Sequence, residues 1–227
     1  MKEINIWITY HRDEQIQEYS LHEDETCRLF KGNNLAITGE NINHLNVFYS
    51  ELVTLYWVWK NEIRSRLVGF CHYRRLFGKL LEIQPGECQV LNVNTHCNVF
   101  KHYKQAHNYQ DLNVIIDILN DFYGIGNKYS TYLLEGTVFI PFCCFVVHWE
   151  DFEKLCGFLF KILFEFDRRN ALSMNPSLYR KKAERDFPYD NVDYQQRAAG
   201  FLAERLISCY LFLEMKILCL NEIQKKQ

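Results

Sequence analysis

Val68-Gly69-Phe70-Cys71-His72-Tyr73-Arg74-Arg75 is an apolar run with strand character that opens into a histidine and two arginines. Open α/β sheets bind ligands beyond the carboxyl ends of their strands, so polar side chains at such an end mark a candidate site. Two adjacent guanidiniums suit a phosphate-bearing ligand, because each offers forked, charge-assisted hydrogen bonds to phosphate oxygens. If the strand continues, His72 and Arg74 share one face and Tyr73 and Arg75 the other. If it stops at Cys71, all four side chains can reach the crevice. The competing reading is an arginine pair held in surface salt bridges, since ion-pair networks also serve structure.

Working outward, Ile4 to Tyr10 alternates as a first strand, with Tyr10-His11-Arg12-Asp13 at its end. Residues 14–40 read as irregular and charged. A helix is expected from about His44 to Glu62, where Leu45, Tyr49, Leu52, Tyr56 and Trp59 recur at helical spacing. Val53 and Trp57 widen the stripe, so this helix should be buried around most of its girth, with Glu51 and Thr54 as its narrow polar remainder. A carboxylate there is either functional or paired with a core arginine. Downstream, Cys88–Val93 suggests a short strand, Val99–His107 and Asp111–Leu119 two helices, and Thr137–Val147 a strand-rich run broken by Pro141. A long helix is expected over about Trp149 to Arg169, a polar loop over 170–193, and a last helix from about Tyr194 to Ile223. Strands alternating with helices, closed by two long helices, predict an α/β fold with a mixed sheet. There is no linker and no internal repeat, so 1–227 reads as a single domain.

The composition narrows the function. The 227 residues include 17 Phe and 14 Tyr and carry a formal charge of −2, which leaves no electrostatic footprint for nucleic acid. Nine cysteines contain no C-x-x-C pair, and an odd count without a secretory leader fits buried thiols in a reducing, cytoplasmic setting. His96, Cys97, His102 and His107 are close in sequence, but His102 and His107 are five apart and would diverge by about 140° on a helix. That spacing argues against a zinc site, although His107 can still donate to a ligand. Asp186, Asp190 and Asp193 could bind a cation or form a solvated acidic loop. No Walker loop, G-x-G-x-x-G, G-x-S-x-G or H-E-x-x-H occurs. In Arg197-Ala198-Ala199-Gly200-Phe201-Leu202-Ala203-Glu204-Arg205, small residues allow close helix approach. Arg197 and Glu204 lie two turns apart on one face, with Arg205 beside them. Lys216, Lys225 and Lys226 raise the alternatives of a membrane-surface helix and one packed over the core.

Taken together, these segments resemble a bacterial family of domains of unknown function that occurs in capsular and exopolysaccharide biosynthesis and is regarded as glycosyltransferases. The motifs carrying the likeness run in order. They are Tyr10-His11-Arg12, the turn from Gly39 to Asn46, Tyr49-Ser50-Glu51-Leu52, Tyr56-Trp57-Val58-Trp59-Lys60-Asn61, Gly69 to Arg75, Tyr103 with His107, Asp111 and Leu112, and Gly200 to Leu206 preceded by Arg197. Two positions depart from the pattern: Val53 replaces a threonine, and Cys143-Cys144-Phe145-Val146 replaces an Asn-Met-Phe-Ile-like segment.

The resemblance implies a GT-A-like, Rossmann-related fold with a mixed, mostly parallel sheet and long C-terminal helices. It also implies transfer of a sugar, expected to be galactosyl-type, from a UDP-sugar donor to a glycan or lipid-linked glycan acceptor. Tyr10, His11 and Asn41 would border the nucleotide, with His72, Arg74, Arg75, His107, Arg197 and Arg205 around the diphosphate. Glu51, Asp111 and Glu204 are the candidate carboxylates for base or sugar-orienting work. In such folds an Asp-x-Asp metal motif usually ends the central strand; here His72-Tyr73-Arg74 stands there, and guanidiniums can neutralise a leaving diphosphate by another route. No metal ligand is therefore assigned, with Mn²⁺ or Mg²⁺ left open. The expected location is the cytoplasm, with peripheral inner-membrane association open. The alternative is a catalytically degenerate domain that binds glycan or partner proteins.

Overall fold

A computed structural model of the chain describes residues 2–185 and 191–220, together with the backbone of 223–224. The first half runs β1 (Lys2–Tyr10), α1 (Glu14–Glu18), β2 (Cys27–Lys31), a 3-10 turn (Asn43–Leu45), α2 (Asn46–Tyr49), α3 (Leu52–Lys60), β3 (Ser65–His72), β4 (Leu76–Phe77) and β5 (Glu87–Val90). The second half runs α4 (Val99–Ala106), α5 (Tyr109–Tyr123), α6 (Lys128–Glu135), β6 (Phe145–His148), α7 (Trp149–Arg169), α8 (Pro176–Arg185), α9 (Val192–Gln195), α10 (Ala198–Glu214), β7 (Lys216–Cys219) and β8 (Ile223–Gln224).

Six strands form one sheet in the order β2-β1-β3-β6-β5-β7, and β4 pairs with β8. β1 pairs in parallel with β2 and β3, β5 with β7, while β6 opposes both β3 and β5. Five strands therefore share one direction and β6 alone is reversed. The sheet is α/β, mixed and mostly parallel, as anticipated. Thr9 at the end of β1 is in register with His72 at the end of β3.

Alternation along the strands separates two apolar layers. Trp7, Val68 and Phe70 join the large core beneath α3, α7 and α10, whereas Ile6, Ile8, Leu67, Cys71 and Val146 form a smaller one on the other face. Gly69 allows the smaller layer to close over β3. A Cβ there would lie 2.4 Å from Ile6 Cδ1 and 2.9 Å from Val146 Cγ2. α3 is buried around its girth, and Thr54 on its polar remainder shares a 2.7 Å hydrogen bond with Thr9.

Several expectations are corrected. The helix expected over 44–62 is broken at Ser50, whose φ of +52° lies in the left-handed region. The Ser50 N–H closes α2 on the Asn46 carbonyl at 2.7 Å, and α3 restarts beyond Glu51. Residues 14–40 contain α1 and β2, and the polar loop contains α8, anchored by buried Tyr179, Lys182 and Ala183. The C-terminal helix stops at Glu214. Lys216 then lies on β7, where its ammonium meets Glu87 at 2.7 Å, so it does not extend a membrane-surface helix. Lys225, Lys226, Asp186 and Asp190 lie outside the described residues. Among the described residues, no helix is long and apolar enough to cross a membrane.

Candidate active site

A cleft of about 400 Å³ opens beyond the carboxyl ends of β3 and β5, beside the start of the reversed β6. Glu51, His72, Arg74, Arg75, His107, Arg197, Glu204 and Arg205 all line it, so eight of the twelve site residues anticipated from sequence are brought together. β3 ends at His72, one residue later than the shorter expectation. Tyr73 then turns to the other layer, 4.9 Å from the Tyr19 ring, while Arg74 and Arg75 stay with the cleft. α10 contributes Arg197 at its N-terminus and then Gly200, Phe201, Glu204 and Arg205. These positions repeat at helical spacing on one face.

The side chains divide by what already holds them. Glu204 is engaged on both oxygens: Oε1 accepts the Phe142 N–H at 2.7 Å and Oε2 accepts from Arg205 at 2.6 Å. Arg205 also reaches His102 Nδ1 at 3.0 Å and covers the Phe139 ring. Glu204 thereby fastens the segment Phe142-Cys143, whose φ values of +81° and +53° are both left-handed. The Phe142 ring in turn carries the Arg75 guanidinium, 3.8 Å from its centroid. Arg74 lies over Tyr73, and Arg197 donates twice to Ser50 Oγ, at 3.0 and 3.2 Å. Among the described residues none of Arg74, Arg75 and Arg197 forms an ion pair, so the surface salt-bridge reading of the arginine pair does not hold.

Glu51 is the carboxylate left for chemistry. Its Oε1 lies 3.3 Å from His72 Nε2, and burial holds its carboxyl above the usual range, against the pull of Arg197 and Arg74. Burial, then Arg74, His11 and Arg75, drives the His72 imidazole down to about 2, so it is neutral at physiological pH. The Arg74 N–H points at His72 Nδ1, 3.5 Å away, which leaves the ring proton on Nε2 facing Glu51. His107 is likewise neutral, pushed to about 3 by burial and by Arg205, and its ring stacks on Phe201 at 3.9 Å.

Four anticipated residues lie elsewhere. Asp111 is turned away from the cleft into a buried pair with Lys182 at 2.5 Å, which removes it as a candidate base. Asn41 shapes its own turn, donating to the Gly39 carbonyl at 2.9 Å and accepting the Asn43 N–H at 3.2 Å. Tyr10 packs with the smaller apolar layer at the end of β1. His11 stands behind His72, ring centroids 6.1 Å apart. Ser50, Asn94, His102, Phe142 and Tyr194 line the cleft without having been anticipated. Of these, Ser50 was signalled as the residue before the Glu51 carboxylate and His102 as a member of the histidine cluster weighed as a metal site.

Among the described residues, no group of three or more His, Cys, Asp or Glu is placed to hold a metal ion. The donor set at the end of β3 does not fit a hard divalent cation, which wants several free oxygen ligands. Glu204 has both oxygens occupied, His72 faces Glu51, and the remaining rim is cationic.

A family model described as a domain of unknown function (DUF4422) matches residues 21–96 and 83–215. The fold is shared with a solved structure of the WbbM bifunctional glycosyltransferase in its apo form, with a TM-score of 0.69 and 20% identity over 98% of this chain and 45% of that one. This chain therefore spans less than half the length of that protein. No curated protein matches the chain. The architecture is GT-A-like and Rossmann-related.

Proposed function

We propose that this chain, which belongs to the family described as a domain of unknown function (DUF4422), is a nucleotide-sugar-dependent glycosyltransferase. One observation carries this reading: three arginines without ion pairs surround a carboxylate of raised pKa, in one cleft at the carboxyl edge of a mostly parallel sheet. A diphosphate there would meet forked donors from Arg74, Arg75 and Arg197 whose charge is not already spent on protein carboxylates. The nucleoside would extend toward Tyr10 and His11 at the end of β1.

In the transfer step, an acceptor hydroxyl oxygen bonds to the anomeric carbon while the bond from that carbon to the diphosphate oxygen breaks. The electron pair leaves with the UDP, whose growing charge the guanidiniums stabilise, and the hydroxyl proton passes to Glu51. The neutral His72 ring, 3.3 Å away, flanks Glu51 in that transfer, and Glu204 acts at a distance by holding the Phe142 segment under Arg75. This reading routes no step through a metal ion.

The donor is read as a UDP-sugar of galactosyl type. The acceptor is a glycan or lipid-linked glycan of capsular, exopolysaccharide or lipopolysaccharide synthesis, met at the cytoplasmic face of the inner membrane. Calorimetry with UDP-galactose on the wild-type chain and Arg74→Ala tests the site: equal affinity for both would remove it. Consumption of the donor with a lipid-linked acceptor separates a transferase from a domain that binds glycan without turnover.

A further inference from the structure

One wall of the cleft is aromatic. Phe201 stacks on His107 with ring planes 25° apart, and Tyr194 lies 4.7 Å from Phe201. Tyr103 backs His107 at 4.8 Å. The three cleft rings differ in what they offer a ligand: His107 is 4% exposed and can only support, Phe201 is half-buried, and Tyr194 is 43% exposed. Polar groups frame this wall, with Arg197 5.5 Å from the Phe201 ring and Asn94 across the same cleft.

We propose that Phe201 and Tyr194, supported by His107, form the acceptor subsite and take the apolar C–H face of the acceptor's terminal sugar ring. This rests on the transferase reading above. A sugar ring has a C–H face that packs on an aromatic plane and a rim of hydroxyls that wants the polar frame, the combination this wall presents. The neutral state of His107 suits an apolar stack rather than a charge contact.

The main rival for an aromatic wall is the donor's own base. Arg197, 5.5 Å from the Phe201 ring, donates to Ser50 Oγ and acts on His11 at the end of β1, so position in the sheet does not separate the two ligands and UDP affinity in the variants decides between them.

The test uses the full chain with saturating UDP and a panel of methyl galacto-, gluco- and mannopyranosides of both anomeric forms, read by saturation-transfer NMR. At least one sugar should bind, with saturation strongest on the C–H protons of one face. Phe201→Ala and Tyr194→Ala should each weaken it at least fivefold, while UDP affinity by calorimetry stays within twofold. Tyr194 is exposed, so its variant keeps the test valid even if Phe201→Ala misfolds. Absence of any bound sugar in the wild type, or unchanged sugar binding in a folded variant, overturns the subsite. A fall in UDP affinity in either variant with sugar binding intact assigns the wall to the base instead. The parent reading is scored separately: unchanged UDP affinity in Arg74→Ala removes the diphosphate site whatever the sugars do.

Discussion

His72 Nε2 lies 3.3 Å from Glu51 Oε1, bridging the end of β3 to the break between α2 and α3. The contact is not an ion pair, because burial and the surrounding guanidiniums suppress protonation of the ring and leave it neutral. The same burial raises the Glu51 carboxyl. Glu51 faces a neutral imidazole inside the cationic cleft, whereas Glu204 is gripped by Arg205 on one oxygen and a backbone N–H on the other.

Glu51→Gln should lower transfer at least 100-fold, within the range for loss of a general base, and leave UDP affinity within about threefold. The stability effect has the opposite sign. A carboxyl raised in the folded state contributes stability below its unfolded pKa, and that contribution is lost as pH rises through the folded value. Glu51→Gln should therefore raise the unfolding midpoint at pH 7. The gain should close toward about pH 4, the ordinary range for the group. Glycosyl transfer assays beside calorimetric melts at both pH values check the pair of outcomes.

His72 and His107 predict a steep acid limb. Each has a depressed folded pKa, about 2 and about 3, so the unfolded chain takes up a proton near pH 6.5 that the native protein refuses. The stability this represents is complete above that pH and drains as pH falls, by about 1.4 kcal/mol per pH unit for each ring. Denaturant unfolding at pH 7, 6 and 5 should show this slope, and His72→Gln or His107→Gln should each remove about one proton's share of it.

Arg74→Ala and Arg75→Ala should each weaken UDP binding roughly 10- to 150-fold, the range for a charge-assisted hydrogen bond of about 1.5–3 kcal/mol. Arg75→Lys keeps the charge but loses both the fork and the planar stack on Phe142, and should recover only part of the affinity. Titration calorimetry at two salt concentrations checks the order wild type, Lys, Ala.

Much of this was legible in the sequence, for reasons that also explain the gaps. The strand ending in His72 and the helix over Trp149–Arg169 stand out because apolar periodicity is strong and the ends are marked by charge. The α10 face of Arg197, Gly200, Phe201, Glu204 and Arg205 was partly readable from the seven-residue spacing of its charges. β7 was not: Lys216-Ile217-Leu218-Cys219 continues the apolar pattern of α10 and is too short for its period to be distinguished. Asp111 was misassigned because its partner Lys182 lies 71 residues away, a pairing that no local pattern encodes. The break at Ser50 was hidden because the apolar stripe runs straight through it.

That break makes its own prediction. Ser50 combines a left-handed backbone with the oxygen that receives Arg197, so Ser50→Ala and Ser50→Gly both lose the contact but differ in strain. The glycine variant should be the more stable of the two by about 1 kcal/mol, since only it adopts this φ without penalty. Both should raise the KM for UDP-sugar to the same degree, because Arg197 loses its anchor in each. Paired melts and donor titrations separate the strain from the contact.

Gly69 tests how tightly β3 is held beneath the cleft. A methyl group in Gly69→Ala would meet Ile6 Cδ1 at 2.4 Å and Val146 Cγ2 at 2.9 Å in a layer that is fully packed. Overpacking of this kind costs about 1–3 kcal/mol, so the unfolding midpoint should drop by several degrees. Ile6→Val deletes the nearer carbon and alone should cost about 0.5–1.5 kcal/mol. In the double variant the two losses should partly cancel, leaving a protein more stable than Gly69→Ala alone, as a double-mutant cycle of denaturant midpoints would register. Strict additivity of the two losses would mean that the strand shifts away from Ile6 instead, and then the His72–Glu51 distance, with the transfer rate that depends on it, should change as well.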